Sequence, residues 1–280
     1  MTVPALPDLM IEPIVRSALL EDLGRAGDLT AQAVIAPDDR FPAVFAARQS
    51  GVVAGIDCAR LAMTLLGARF ETLMPDGSAI KPGDVIARVE GPAAAVLAGE
   101  RVALNLLCHL SGVASQTAAY VAAVAGTGVR IAETCKTMPG LRGLQKHAVK
   151  CGGGINHRFG LDDAILIKDN HIAICGGVTI ALERARAAAG HLVKIEVEVD
   201  SLDQLREALP FGPDVVLLDN FALDDLRQAV ALAKGKTVLE ASGGVNMTTV
   251  RAIAETGVDV ISIGALTHSV PNFDIGLDAA

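Results

Sequence analysis

Tryptophan is absent, tyrosine occurs once, and aromatic residues make up only 3% of the 280-residue chain. Hydrophobic residues still account for 51%, mostly as Ala, Val, Leu and Ile. A core of that kind suits helices packed on buried parallel strands and speaks against an aromatic-rich sandwich. Paired cysteine motifs are also missing. Cys58, Cys108, Cys135, Cys151 and Cys175 are odd in number, form no CxxC, and none stands at zinc-finger spacing from a histidine. A reducing cytoplasm is the simplest setting for such a set. No apolar run in the sequence reads as a membrane span. The opening MTVPALPDLM has neither a basic n-region nor a long apolar stretch, so no signal peptide is expected. The net charge of −8 lacks the positive excess of a nucleic-acid binder.

Charge distribution says more than its sum. Between Arg130 and His171 lie seven Lys/Arg and three of the six histidines, against four acids. An acidic protein with one basic island is either built around a local anionic ligand or carries a solvated basic face.

The first part of the chain mixes elements without a regular order. Residues 8–23 read as a helix with Asp8 as N-cap and Gly24 as stop, and GDLT (Gly27–Thr30) as a turn. Short strands are expected around 43–48, 51–54, 70–74 and 84–90, with a helix over 57–67. A longer helix runs from Ala93 to Leu110 and is expected to break at Gly112. The stretch KPGDVIARVEG has the look of a lipoyl- or biotinyl-type strand pair, but no modifiable lysine follows at a hairpin tip, so it stands as a structural echo only. These residues are assigned to an α+β domain.

After residue 112 the rhythm becomes regular. Six apolar, β-branched strands recur at 129–132, 164–167, 193–199, 215–218, 237–239 and 258–263. Helical patterns fill most gaps, at 178–189, 202–209, 223–233 and 247–256. Strand, helix, strand at this spacing is the signature of a parallel sheet. Polar groups gather at one end of each strand: Glu133-Thr134-Cys135-Lys136, then Lys168-Asp169-Asn170-His171, Glu196, Glu198 and Asp200, Asp219-Asn220, Glu240 and Ser242-Gly243-Gly244, and Gly264-Ala265. In a closed α/β barrel those ends share one mouth, and in an open doubly wound sheet they line a crevice. No GxGxxG opens the first unit, which weakens the second reading.

Lys136, His157, Arg158 and Lys168 supply positive charge at this end, and CGGG (residues 151–154) allows close backbone approach. Carboxylates or phosphates are the natural guests. Glu198 and Asp219 stand opposite as Mg²⁺ ligands or as caps of the following helices. Ser242-Gly243-Gly244 and Gly264 suit a phosphate held by backbone N–H groups, or are plain tight turns. Lys168 could act as a Schiff-base nucleophile or as one more anion ligand. His109 and His191 read as packing or surface histidines, His147 as a helix residue, and Cys58 and Cys108 as core residues.

The run ETCKTMPGLRGLQKHAVKCGGGINHRFGLDDAILIKDNHI, Glu133 to Ile172, resembles the signature region of the quinolinate phosphoribosyltransferase family. KIEVEVDSLDQL, VVLLDNF, LEASGGVN and DVISIGALTHS match its later strands in order, and GPAAAVLAGERVALNLLCHLSG its interdomain helix. The resemblance covers nearly the whole chain. It implies an N-terminal α/β sandwich domain over 1–112, an incomplete seven-stranded α/β barrel over 113–270, and a C-terminal tail over 271–280. It further implies conversion of quinolinate and phosphoribosyl pyrophosphate to nicotinate mononucleotide, CO₂ and pyrophosphate. A homodimer is expected, and a higher oligomer is open, with Arg101 reaching into the partner's site. Neither nucleic acid nor membrane is an expected partner. Lys136, His157, Arg158 and Lys168 would bind quinolinate, flanked by Thr134 and Cys135. Lys136, Lys168, Glu198 and Asp219 would serve catalysis, Glu198 and Asp219 would hold Mg²⁺ and the ribose, and Ser242, Gly243, Gly244 and Gly264 the 5-phosphate.

Three positions depart from the family's pattern. Cys135 stands where an arginine is expected, Met138 where Thr is usual, and Gln145 where Glu is usual. Replacing a fork-shaped cation by a thiol should weaken dianion binding by about 10- to 100-fold unless a cation such as Arg142 or Lys150 compensates. The departure leaves open an altered anionic substrate or a non-catalytic anion-binding barrel. A Schiff-base barrel built on Lys168 is the remaining reading.

Overall fold

Periods of two and of 3.6 residues alternate along the chain, and the computed structural model, which describes residues 3–280, is built accordingly. The first elements are α1 (Asp8–Leu23), α2 (Leu29–Val34), β1 (Arg40–Ala47), β2 (Gly51–Val52), α3 (Ile56–Leu65), β3 (Arg69–Thr72), β4 (Ala79–Ile80), β5 (Val85–Pro92) and α4 (Ala93–Ala123). Then follow β6 (Arg130–Ala132), α5 (Arg142–Cys151), β7 (Ile165–Ile167), α6 (Asp169–Cys175), α7 (Val178–Ala188), β8 (Ile195–Val199), α8 (Leu202–Ala208) and β9 (Val215–Asp219). The chain closes with α9 (Leu223–Ala233), β10 (Val238–Ser242), α10 (Val250–Ala254), β11 (Val260–Ser262), α11 (Ala265–His268) and β12 (Ile275–Ala279).

Two compact units interleave along this order, where the sequence suggested linear segments. One holds the chain up to Ala118, Thr137–Gly153 and Leu266–Ala280; the other holds Ala119–Lys136 and Gly154–Ala265.

The first unit is the sandwich. Its antiparallel sheet has the order β12-β1-β5-β3, beside a small β2-β4 pair. Residues 271–280, a tail by sequence, instead supply β12, which pairs with β1 from Ala43↔Ala279 to Ala47↔Ile275. IGLDA is short and carries Gly and Asp, so its strand character comes from the partner and not from its own propensity. Apolar side chains of α1, α3, α4 and α5 share one core with the sheet, in which Val15, Phe45, Met63, Ile86, Leu107 and Val149 are fully enclosed. Each such large side chain contributes roughly 1.5–3 kcal/mol by leaving water. The Phe45 and Phe70 rings meet at 5.7 Å and 50°.

Three local expectations change here. Asp8 is the first residue of α1 and not its cap; Pro7 holds the cap position, and the Asp8 carboxylate pairs with Arg60 at 2.5 Å. GDLT leads into α2, with Asp28 accepting from the Ala31 N–H at 3.0 Å. Gly112 does not break the helix, for α4 continues through it to Ala123. A Cβ at Gly112 would collide with the Pro271 carbonyl oxygen, so the glycine is there for a close approach. The uninterrupted α4 is therefore long and apolar enough to cross a membrane by length and composition, with half of its apolar window buried in the protein.

Gln145 shows why an amide suits its place. It is fully buried; its Oε1 accepts from the Met138 N–H at 2.9 Å, and its Nε2 donates to the Thr267 carbonyl at 2.7 Å. The same Nε2 lies 2.9 Å from His109 Nε2. Burial lowers the pKa of His109, which fits a neutral ring accepting that bond. A carboxylate would offer neither donor.

The second unit is an α/β barrel. Its six parallel strands run in the order β6-β11-β10-β9-β8-β7. A parallel bridge between Ala132 and Ile155 adds a seventh strand position beside β6. Among the described residues no pairing joins that edge to β7, so the barrel is incomplete. Ile195, Val197 and Val199 on β8, with Val216 and Leu218 on β9, are buried on one side of the sheet. Glu196 and Glu198 take the other face, as a period of two requires.

Candidate active site

Parallel strands deliver the expected residues to one end of the barrel. Thr134, Cys135 and Lys136 follow β6, Lys168 caps α6 after β7, Glu198 lies near the end of β8, Asp219 ends β9, Ser242 ends β10, and Gly264 follows β11. Lys168 Nζ sits 3.0 Å from Glu198 Oε2. That nitrogen is engaged by a carboxylate, an arrangement that suits anion and charge handling better than a free amine nucleophile. Lys136 is exposed, and its backbone N–H donates to Thr134 Oγ1 at 3.2 Å. Arg158 Nη1 donates to the Ala164 carbonyl at 2.9 Å, which fixes the guanidinium plane.

Below these residues lies a layer of buried acids that the sequence shows among the strand-end polar groups but to which it assigns no role. Glu133, Glu196 and Glu240 are 0%, 7% and 5% exposed. They surround His157, whose Nε2 lies 3.1 Å from Glu196 Oε2 and 3.6 Å from Glu240 Oε1. The His157 backbone N–H donates to Glu133 Oε1 at 3.2 Å. Burial works against the imidazolium, but hydrogen bonds with Cys135 and Glu196 and the charges of Glu240 and Glu196 outweigh it. The His157 pKa is pushed up to about 10. Burial and the Glu196 charge raise the pKa of Glu240, while His157 draws it back. The raised pKa favours a protonated ring at neutral pH, while Nδ1 faces the Arg158 backbone N–H at 2.8 Å, the geometry of an accepting nitrogen. The signal for this layer was present as strand period: Glu196 shares a face with Glu198, and Glu240 shares one with Ser242.

Cys135 belongs to the same cluster. Its thiol donates to the Arg158 carbonyl at 3.4 Å and is hydrogen-bonded to the His157 side chain. The residue therefore ties the β6 loop to the His157–Arg158 segment. Arg142 and Lys150, the expected compensators, lie on α5 in the sandwich unit, where Arg142 Nε donates to Thr137 Oγ1 at 3.0 Å. Arg101 also belongs to the sandwich unit; it is exposed, and its guanidinium meets Asp22 at 2.6 Å.

Two features shape the far side of the mouth. Asn220 is the one non-glycine with positive φ among the described residues, at 56°. Its side chain lies where a Cβ on Gly243 would fall, and Gly243 and Gly244 have φ of 94° and 61°. The loops after β9 and β10 interlock through that contact, and the Asn220 N–H donates to the Ser242 carbonyl at 2.9 Å. A cavity of about 280 Å³ opens beside them, lined by Asp169, Glu198, Asp200 and Asp219 together with Gln204 and apolar residues of α6. Its donors are hard oxygens, the set that Mg²⁺ prefers.

An incomplete parallel barrel with basic side chains, paired carboxylates and glycine turns at its strand ends suits an enzyme that handles anions. A family model described as quinolinate phosphoribosyl transferase, C-terminal domain, matches residues 113–278, and its N-terminal counterpart matches 28–111. The nicotinate-nucleotide pyrophosphorylase [carboxylating] of Mycobacterium leprae is 45% identical, over 94% of this chain and 95% of its own. A probable nicotinate-nucleotide pyrophosphorylase [carboxylating] from Bacillus subtilis is 44% identical, over 96% and 93%. The solved nicotinate-nucleotide pyrophosphorylase from Francisella tularensis superposes with a TM-score of 0.94 at 36% identity, over 100% of this chain and 99% of that one. The chain belongs to the quinolinate phosphoribosyltransferase family.

Proposed function

We propose that the protein joins quinolinate to phosphoribosyl pyrophosphate and releases pyrophosphate and CO₂, leaving nicotinate mononucleotide for NAD biosynthesis. The observation that carries this reading is His157, held among buried glutamates beside Arg158, at the end of the barrel where Lys168 meets Glu198. Quinolinate is a dianion and its partner a polyanion, so their repulsion must be offset before they react. Lys136, His157, Arg158 and Lys168 take the two carboxylates, with Thr134 and Cys135 at the edge of that pocket. Each charged hydrogen bond contributes roughly 1.5–3 kcal/mol. Ser242, Gly243, Gly244 and Gly264 cradle the 5-phosphate through backbone N–H groups, which glycine leaves uncovered.

The pyridine nitrogen donates its lone pair to C1 of the ribose, forming the N–C bond as the C1–O bond to pyrophosphate breaks. Glu198 and Asp219 stand where carboxylates stabilise the positive charge that develops on the ribose. The oxygen-lined cavity at Glu198 and Asp219 fits Mg²⁺, which would neutralise the charge of the leaving pyrophosphate when bound. The ring nitrogen is now quaternary. It withdraws the electron pair of the bond to the 2-carboxylate, CO₂ departs, and the ring carbon takes a proton from water. The protein orients and neutralises, and no covalent nucleophile is needed.

Two further parts of the reading concern assembly and setting. Arg101, exposed and held by Asp22, is offered to a second copy of the chain in a homodimer and completes that copy's anion site. The thiols without disulfides agree with a reducing cytoplasm. The deciding assay measures ¹⁴CO₂ from 2-carboxyl-labelled quinolinate. Release is expected only when phosphoribosyl pyrophosphate and Mg²⁺ are both present. Tight quinolinate binding with no release would sink the proposal.

A further inference from the structure

Outside the barrel, the sandwich unit gathers three side chains of different chemistry at one point. Asp76 lies in the turn between β3 and β4. His147 and Cys151 stand four residues apart on α5, which places them on one face of that helix. One donor atom from each of the three lies within 4.8 Å of the other two. His147 Nε2 is 2.9 Å from Asp76 Oδ2. The side chains of Asp76 and His147 are 13% and 8% exposed, and Cys151 is 8% exposed. None of the three takes part in the chemistry of the barrel mouth.

We propose that Asp76, His147 and Cys151 form a zinc site within the sandwich unit, binding one Zn²⁺ through carboxylate oxygen, imidazole nitrogen and thiolate sulfur. The donor set decides the metal class. Mg²⁺ and Ca²⁺ take oxygen ligands, whereas a mixed sulfur, nitrogen and oxygen set selects Zn²⁺ among the abundant divalent ions. The separations agree. Tetrahedral zinc bonds of about 2.0–2.3 Å put ligand atoms about 3.3–3.8 Å apart. The three donors lie within 4.8 Å of one another, and the Asp76–His147 pair, at 2.9 Å, has only to open by a few tenths of an ångström, roughly the freedom of one χ rotation.

The surroundings are prepared as well. Asp76 Oδ1 accepts from the Ile56 N–H at 2.9 Å, which orients the carboxylate and leaves Oδ2 for the metal. Such an outer hydrogen bond to a ligating carboxylate is a regular part of metal sites. Binding displaces the proton of the Cys151 thiol and the hydrogen bond between His147 and Asp76, and it releases one proton to solvent. Three protein ligands leave the fourth tetrahedral position to water. The ion would tie the β3–β4 turn to α5, two segments separated by about seventy residues in sequence.

Cobalt titration of the chelator-treated, full-length protein tests the proposal. One equivalent of Co²⁺ per chain should give tetrahedral d–d bands with a thiolate-to-cobalt charge-transfer band, and Zn²⁺ should bleach both. Cys151→Ser should abolish the charge-transfer band, His147→Gln should weaken binding at least tenfold, and Cys175→Ser on α6 should change nothing. Zinc should also raise the thermal midpoint of the wild type and not of the two ligand variants. Absence of the charge-transfer band in the wild type overturns the proposal and leaves a metal-free Asp–His pair beside a thiol. Its persistence in Cys151→Ser overturns the ligand set. Should a variant fail to fold, the wild-type spectrum alone decides.

Discussion

Replacing His157 with Gln removes a buried charge whose energetic weight follows from its surroundings. The His157 pKa is 6.5 when unperturbed and about 10 in the folded chain. Because the folded value is the higher one, the group stabilises the protein in full below pH 6.5 and loses that contribution as pH rises through 10. Linkage gives about 5 kcal/mol at pH 5, about 4 at pH 7 and about 1 at pH 9. The side chain is only 8% exposed, so solvent screening takes little from these values. Removing one partner of a buried pair costs roughly 3–5 kcal/mol in general, which agrees with the neutral-pH figure. Urea unfolding of wild type and His157→Gln at a series of pH values measures the gap directly. The gap should shrink by about 3 kcal/mol between pH 7 and pH 9. The His157 ring resonances should not titrate between pH 6 and 8. A gap that stays constant from pH 7 to 9, or a ring that titrates near its ordinary value, would refute the buried-cation argument and with it the role given to Glu196 and Glu240.

Other perturbations separate the parts of the site. Glu198→Gln and Asp219→Asn should each raise the Mg²⁺ concentration for half-maximal activity by about tenfold or more, which corresponds to about 1.4 kcal/mol; an unchanged Mg²⁺ requirement would move the metal elsewhere. Gly243→Ala adds a Cβ onto Asn220 at φ 94°, and should cost about 1–3 kcal/mol of stability and raise KM for phosphoribosyl pyrophosphate before kcat falls. Steady-state kinetics with each substrate varied in turn checks that order. Cys135→Arg should tighten quinolinate binding about 10- to 100-fold by calorimetry and, by placing a like charge beside His157, lower that histidine's pKa.

The barrel was legible because parallel strands buried on one side announce themselves as short β-branched runs, and because each run ends in polar residues. Leu223–Ala233 falls on α9 residue for residue. The mouth was legible for the same reason: Lys168, Glu198, Asp219 and Ser242 stand at or just beyond strand ends. The layer beneath was not. Glu196 and Glu240 read from sequence only as polar residues toward strand ends, and the cross-barrel contact with His157 is what gives them a role. Gly112 misled because local propensity weighs a glycine as a break, while its reason here is the Pro271 carbonyl far along the chain. β12 escaped notice because its strand is conferred by β1.

The charge balance of the site explains how a thiol can occupy position 135. Burial and the Glu196 charge already favour the protonated form of Glu240, and a neutral imidazole would leave the negative charge that remains on this layer uncompensated beside a dianionic substrate. His157 resolves this only while protonated, and Cys135 contributes to that state through its hydrogen bond to the ring. An arginine at 135 would add a cation at the mouth but would press on the protonation of the one beneath. The thiol gives up the first effect and secures the second. Of the cationic set, His157 is the member whose pKa its buried neighbours shift. On the proposed reading the buried glutamates belong to the anion site, because they raise the pKa of the imidazole that the substrate's carboxylates would meet.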